Sequence, residues 1–281
     1  MKSPSHDTWL TFASIRGHHR YHLMKNEFMK VHRYLLLVLL SMTACNAQPA
    51  KMIEKPPSHE VWDELLKTGV LKNGLVNYKA FIRQKDRLEQ YLALLSNNAP
   101  NPKTWTREEQ LAYWINAYNA FTIKLIADNY PVESIKDLHP VNIPFVSSVW
   151  QKKFFQIGGT KMSLDQIEHS ILRKDFNEPR IHFAVNCASI SCPVLRAGAY
   201  TAQEIEEQLN EQAILFINDP LRNKITTGKV EISKIFSWFK GDFTKDTSLK
   251  DFINTYSKTK IPEGSKINYL DYHWGLNDGE E

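Results

Sequence analysis

The stretch Leu111–Ile126 reads LAYWINAYNAFTIKLI, apolar nearly all round and free of glycine and proline. A run of that kind makes a helix buried on most sides, the spine of a domain. Thr106 with Glu109 supplies a capping box ahead of it, and Pro131 stops it after about Asn129. Helical spacing puts Trp114, Tyr118, Phe121 and Leu125 on one face, and Asn116 and Asn119 on another with Ala112 and Ile123. An unpaired buried amide costs about 1–3 kcal/mol, so both asparagines are expected to hold specific partners. Loop backbone is the first expectation. The sharper one is that Asn116 or Asn119 orients a catalytic histidine or a ligand.

Outward from this helix, the signals are mostly helical. Ser58 can cap a helix to about Thr68, and Arg83 to Leu95 repeats apolar residues at helical spacing. Ser163 with Gln166 and Thr201 with Glu204 are further capping boxes, opening helices to about Leu172 and Asn218. Strand signals are shorter. Phe154–Ile157, Gly158-Gly159 and Lys161-Met162 read as a hairpin, as do Lys224–Thr226, Gly228 and Val230–Ile232. Ile181–Val185 is apolar and β-branched enough for a central strand, and Tyr269–Trp274 reads as a last strand. The expected class is α+β: a helix-rich single domain, residues 58–281, with a small, largely antiparallel sheet packed around a buried central helix.

The N-terminal part has another character. From Met29 the chain reads MKVHRYLLLVLLSMTAC, a basic start, a short apolar core and small residues before Cys45. That is a secretory signal, too short to span a bilayer. A cysteine at the cleavage point resembles the lipobox of bacterial lipoproteins, which implies a diacylated Cys45 as the first residue of the mature chain. Residues 1–28 are then an extension from an overcalled start, 29–44 the signal peptide and 45–57 a polar tether. The first 44 residues hold six basic and two acidic residues, leaving 29 of each in the remainder. The basic balance belongs to the leader, so no nucleic-acid partner is expected. The expected location is the cell envelope, lipid-anchored on the periplasmic side. Asn46 after the lipidated position leans this towards the outer membrane.

The chemistry-bearing residues concentrate in Arg180–Pro193, RIHFAVNCASISCP, which holds both remaining cysteines and a histidine. Four readings stay open. An oxidising compartment and an even cysteine count favour a disulfide between Cys187 and Cys192, or structural thiols, with a tight turn through Ala188–Ser191 bringing the two within reach. A nucleophilic Cys187 would need a base; His182 lies five residues before it and faces away in a regular strand, which leaves His169 as the better remote candidate. His59, His139 and His273 are further histidines that could serve. A reversible dithiol is the third reading, although four intervening residues exceed the two of thioredoxin-type pairs. A metal site of His169, His182, Cys187 and Cys192 fits no common zinc spacing, so no metal is expected. No glycine-rich phosphate cradle occurs either, and no cofactor is expected.

WTREEQLAYWINAYNAFTIKLI, YPVESIKD, SLDQIEHSILR and EPRIHFAVNCASISCPVLR together resemble the family catalogued as domain of unknown function 547, with a core at about 105–218. IFSWFKGDF and YLDYHWGLN resemble the C-terminal parts of its bacterial members, with His273 where an acidic residue is expected. The resemblance implies a module found in bacterial envelope proteins and in larger eukaryotic ones, some beside glutaredoxin-like or signalling modules. It implies no reaction. The functional expectation is an envelope lipoprotein whose domain binds a peptide, glycan or protein partner near the His182–Cys192 loop, with structural cysteines. The alternative is a papain-like or transglutaminase-like hydrolase or transferase using Cys187 with a histidine base.

Overall fold

The computed structural model describes residues 55–139, 148–226 and 228–280. The signal-like run, Cys45 and most of the tether fall outside the described residues. Three helices come first among the described residues: α1 (Glu60–Gly69), α2 (Tyr78–Arg83) and α3 (Lys85–Asn97). They lead to the long helix α4 (Arg107–Ala127). The Thr106 hydroxyl accepts from the Glu109 N–H at 3.2 Å, and the Glu109 carboxylate accepts from the Thr106 N–H at 2.7 Å. The capping box is therefore complete. Fourteen of the 21 residues of α4 are buried, so it meets protein on nearly every face, as its sequence requires. Helix α2 was not legible as a separate element. Asn77 caps it by accepting from the Ala80 N–H, and Arg83 ends it instead of opening α3.

Strands β1 (Phe155–Ile157) and β2 (Thr160–Met162) form the expected hairpin, pairing Phe155 with Met162 and Ile157 with Thr160. Its turn needs two left-handed residues, and Gly158 (φ 59°) and Gly159 (φ 76°) supply them. Phe155 stacks on Phe121 of α4, centroids 3.9 Å apart. The Ser163–Gln166 capping box forms, but the helix it opens is π-helical over Gln166–Leu172 before an α-turn at Arg173–Asp175. Wide turns of this kind are uncommon and cluster at functional sites.

The largest departure from expectation concerns Ile181–Val185. It is no strand: Ile181–Ala184 is a short helix, α5. Packing overrides the β-branched composition because successive side chains must point in different directions. Ile181 and Ala184 enter the core around α4, whereas Phe183 enters a second core and stacks on Phe216 and Phe243. A strand would put Ile181 and Phe183 on one face. Helix α6 (Ile205–Ile217) follows, without the expected capping box: Glu204 is its N-cap, and the Gln208 side chain takes the Thr201 N–H.

The C-terminal third comprises β3 (Lys224–Ile225), β4 (Val230–Ile232), the short helices α7 (Ile235–Trp238) and α8 (Lys240–Phe243), then α9 (Leu249–Tyr256) and β5 (Ile267–Tyr269). β3 pairs antiparallel and β5 parallel with β4. The last strand thus stops at Tyr269 and does not reach Trp274. Residues 270–280 continue as an extended strap along the cysteine turn. Ile190 donates to the Gly275 carbonyl and Ser191 to the His273 carbonyl, and an isolated bridge joins Ser189 to Leu276. The fold is α+β and helix-rich, and the described residues form two small sheets, one antiparallel and one mixed.

Candidate functional site

Helix α4 builds the cysteine turn through its asparagines. The Asn119 amide accepts from the Asn186 N–H at 2.8 Å and donates to the Ala184 carbonyl at 3.0 Å. Asn186 in turn donates to the Pro193 carbonyl and accepts from the Ala188 N–H, closing the turn that carries both cysteines. Ala188 adopts φ +61°, a left-handed conformation that costs a non-glycine residue about 1–2 kcal/mol. The Asn186 network holds it there. From outside, the Arg222 guanidinium donates to the Cys192 and Ile190 carbonyls.

This turn sets the two sulfurs 2.8 Å apart, unbonded. That is inside van der Waals contact and about 0.8 Å beyond a disulfide bond. Cys192 is buried and Cys187 half-exposed. The Cys187 sulfur meets the Cys192 thiol, the Ser189 hydroxyl and the Tyr272 hydroxyl, the last two at 3.3 Å each. The hydrogen bond from Cys192 draws the Cys187 thiol down to about 7 against the effect of burial, helped by Ser189 and Tyr272. Burial, and then Cys187 itself, push Cys192 well above the usual thiol range. The pair is polarised: the half-exposed Cys187 ionises the more readily, and the buried Cys192 keeps its proton.

Cys187 and Cys192 line a cavity of about 260 Å³. Its aromatic wall is Trp150, Trp238, Tyr272 and Trp274, in mutual ring contact at 4.5–5.8 Å. Its polar lining includes Tyr118, Glu168, His169 and His182. The Tyr118 hydroxyl donates to Glu168 at 3.3 Å, and burial pushes the Glu168 carboxyl up to about 7. His182 is 2 % exposed, stacked on Phe239 with centroids 3.9 Å apart, and its Nε2 lies 2.7 Å from Asp242. Arg173 grips the same carboxylate through Nε and Nη2 at 2.6 and 3.1 Å. Burial alone would raise Asp242, but the hydrogen bonds from His182 and Arg173 outweigh it and hold the carboxyl below its usual range. Burial lowers His182 by more than its hydrogen bond to Asp242 raises it.

The structure thus brings Cys187, Cys192, His169 and His182 to one cavity, yet no histidine hydrogen-bonds either sulfur among the described residues. His169 instead contacts Arg173 at 2.9 Å, and His182 faces Asp242. Asn116 grips the Tyr200 backbone at both ends, and Asn119 grips Ala184 and Asn186, so each amide orients backbone and neither orients a histidine. Elsewhere, His59 is bonded to Tyr91 in a separate groove. The ring nitrogens of His139 and His273 accept from the backbone of Val149 and Gly275. Sequence reasoning missed the roles of Glu168, Asp242, Trp238, Tyr272 and Trp274. All five lie in motifs quoted for the resemblance, SLDQIEHSILR, IFSWFKGDF and YLDYHWGLN, although no local pattern gives their partners.

Residues 102–217 match the model of the family described as "Protein of unknown function, DUF547", so the resemblance read from the motifs stands. The matched span holds α4, the π-helical segment and the cysteine turn, whereas Trp238, Asp242, Tyr272 and Trp274 lie beyond it. Searches of curated proteins and of solved structures returned no match.

Proposed function

We propose that this domain carries out thiol–disulfide exchange on a ligand bound in the aromatic-walled cavity, with Cys187 attacking and Cys192 resolving. The observation that carries the reading is the contact between the half-exposed Cys187 sulfur and the buried Cys192 sulfur, 2.8 Å away on a turn fixed from three sides. The Cys187 thiolate attacks one sulfur of a substrate disulfide, forming a mixed disulfide and releasing the other sulfur as a thiolate. Cys192 then loses its proton to that thiolate and attacks the Cys187 sulfur. The second substrate thiolate leaves, and Cys187–Cys192 becomes a disulfide. Two electrons pass from the pair to the substrate; run backwards, the oxidised pair oxidises a dithiol.

A structural pair and a hydrolase are the competing readings. A purely structural pair gives no reason for an open, aromatic-walled cavity over Cys187. A papain-like or transglutaminase-like mechanism needs a base at the sulfur, and the absence of a histidine contact weighs against it. The leader and Cys45 support lipid anchoring in the envelope, where polypeptide disulfides are the available substrates. Equilibration in glutathione redox buffers tests the exchange reading. Cys187 and Cys192 should convert together between dithiol and intramolecular disulfide as one two-electron couple. Thiols that stay free at every poise, or that take up glutathione singly and keep it, contradict the reading.

A further inference from the structure

We infer that the aromatic-walled cavity over Cys187 takes an organic cation, the ammonium of a lysine side chain or of a free quaternary amine. The inference deepens the exchange reading by naming the charge its substrate carries, and rests on that reading only for taking this cavity as the substrate's place.

The charges around the cavity carry the argument. Asp165 and Glu168 line it, and among the described residues the lining holds no lysine or arginine. The Asp165 side chain is 33 % exposed and Glu168 is half-buried, so both reach solvent. The nearby Arg173 guanidinium is turned elsewhere: it spends Nε and Nη2 on Asp242 and Nη1 on His169. A guanidinium only donates, so the Nδ1 of His169 accepts, and its Nε2 lies 3.8 Å from Asp165, beyond hydrogen-bond reach. Glu168 holds the Tyr118 hydroxyl and, among the described residues, no ion pair. A sheltered carboxylate without a counter-ion is costly, and a bound cation removes that cost.

The wall suits the same ligand. An aromatic ring is negative over its face and attracts a cation there. Trp150, Trp238, Tyr272 and Trp274 line the cavity, and three of their four contacts incline the rings by 49–58°, which makes angled walls and not a flat stack. Trp238 is 47 % exposed, so its indole is open to a ligand. The cluster already holds one ammonium: Lys136 Nζ lies 4.0 Å over the Trp274 ring, from a residue outside the lining. A space of about 260 Å³ suits a second of side-chain size. Carboxylates and ring faces both repel an anion and attract a cation.

Matched probes that do not react with thiols test this without depending on exchange. Choline is compared with 3,3-dimethylbutan-1-ol, its uncharged isostere, and N-acetyllysine methylamide with N-acetylnorleucine methylamide. Binding to the full chain is followed by tryptophan fluorescence at about pH 8, above the Glu168 value of about 7. The charged member of at least one pair should bind about tenfold tighter. The responding pair names the source, a free quaternary ammonium or a lysine side chain. The preference should survive in Cys187→Ser, which cannot exchange, so a failure of exchange and a failure of this inference are separable. It should fall to about twofold or less when Asp165→Asn and Glu168→Gln are combined. Asp165→Asn alone, at a partly exposed side chain, should lose part of it, which keeps the test open if the double variant folds poorly. Equal binding of both members of each pair, tighter binding of the uncharged member, no binding at all, or a preference unchanged in these carboxamide variants overturns the inference.

Discussion

At the scale of single residues, the proposed exchange depends on how neighbours divide one proton between two sulfurs. Cys192 is the first cause of the low Cys187 value, so Cys192→Ala should move the pH midpoint of Cys187 alkylation upward from about 7, towards the free-thiol value of 9.0. An unchanged midpoint would mean that Tyr272 and Ser189 suffice. Glu168 acts with the opposite sign. Its folded value, about 7, lies above the ordinary 4.5, so the folded state binds that proton more tightly than the unfolded chain does. Its contribution to stability is fully present below the ordinary value and is lost as pH rises through about 7. Glu168→Gln removes that loss. Denaturant unfolding should find the variant more stable than wild type at about pH 8 and indistinguishable at about pH 4. A constant difference across that range would contradict the assignment. The thiols were legible in the sequence because a short turn holds both. Asp242 and Tyr272 were not, because no local pattern tells that they will meet residues 60 and 85 positions away.

At the scale of elements, the fold is held by specific polar ties between otherwise apolar surfaces. Asn119 joins α4 to the backbone on either side of Val185, satisfying one buried carbonyl and one buried N–H. Asn119→Ala strands both, and urea unfolding should show a loss of about 2–6 kcal/mol from two groups at roughly 1–3 kcal/mol each. A loss under about 1 kcal/mol would mean that the turn stands without α4. In the β1–β2 hairpin, Gly159→Ala meets no atom within 4 Å, so its cost is backbone strain alone. That cost should be about 1–2 kcal/mol, and less for asparagine, which tolerates the left-handed region. The α4 helix and both hairpins were readable because caps, turn glycines and periodicity are local signals. The Ile181–Ala184 helix was not, since its conformation follows from the two cores it must serve and not from its own propensities.

At the scale of the whole molecule, the C-terminal strap completes a site that the central helix begins. Asn277 accepts from the Tyr78 hydroxyl at 2.7 Å and donates to Asn186 at 3.3 Å, tying the strap to α2 and to the cysteine turn at once. Tyr272 and Trp274, on the same strap, wall the cavity. Asn277→Ala should therefore cost about 1–3 kcal/mol in unfolding, from the buried partners it strands. It should also speed alkylation of Cys187 by loosening the wall above it. Stability loss with unchanged thiol reactivity would separate the strap from the site.

The central claim is that Cys187 attacks and Cys192 resolves. Treating the protein with glutathione disulfide and mapping the products by mass spectrometry tests it most directly. Wild type should release glutathione and end as the Cys187–Cys192 disulfide. Cys192→Ser should stop at a glutathione adduct on Cys187, and Cys187→Ser should form no adduct. A lasting adduct on wild type, an adduct on Cys192, or no reaction at either sulfur would contradict the account.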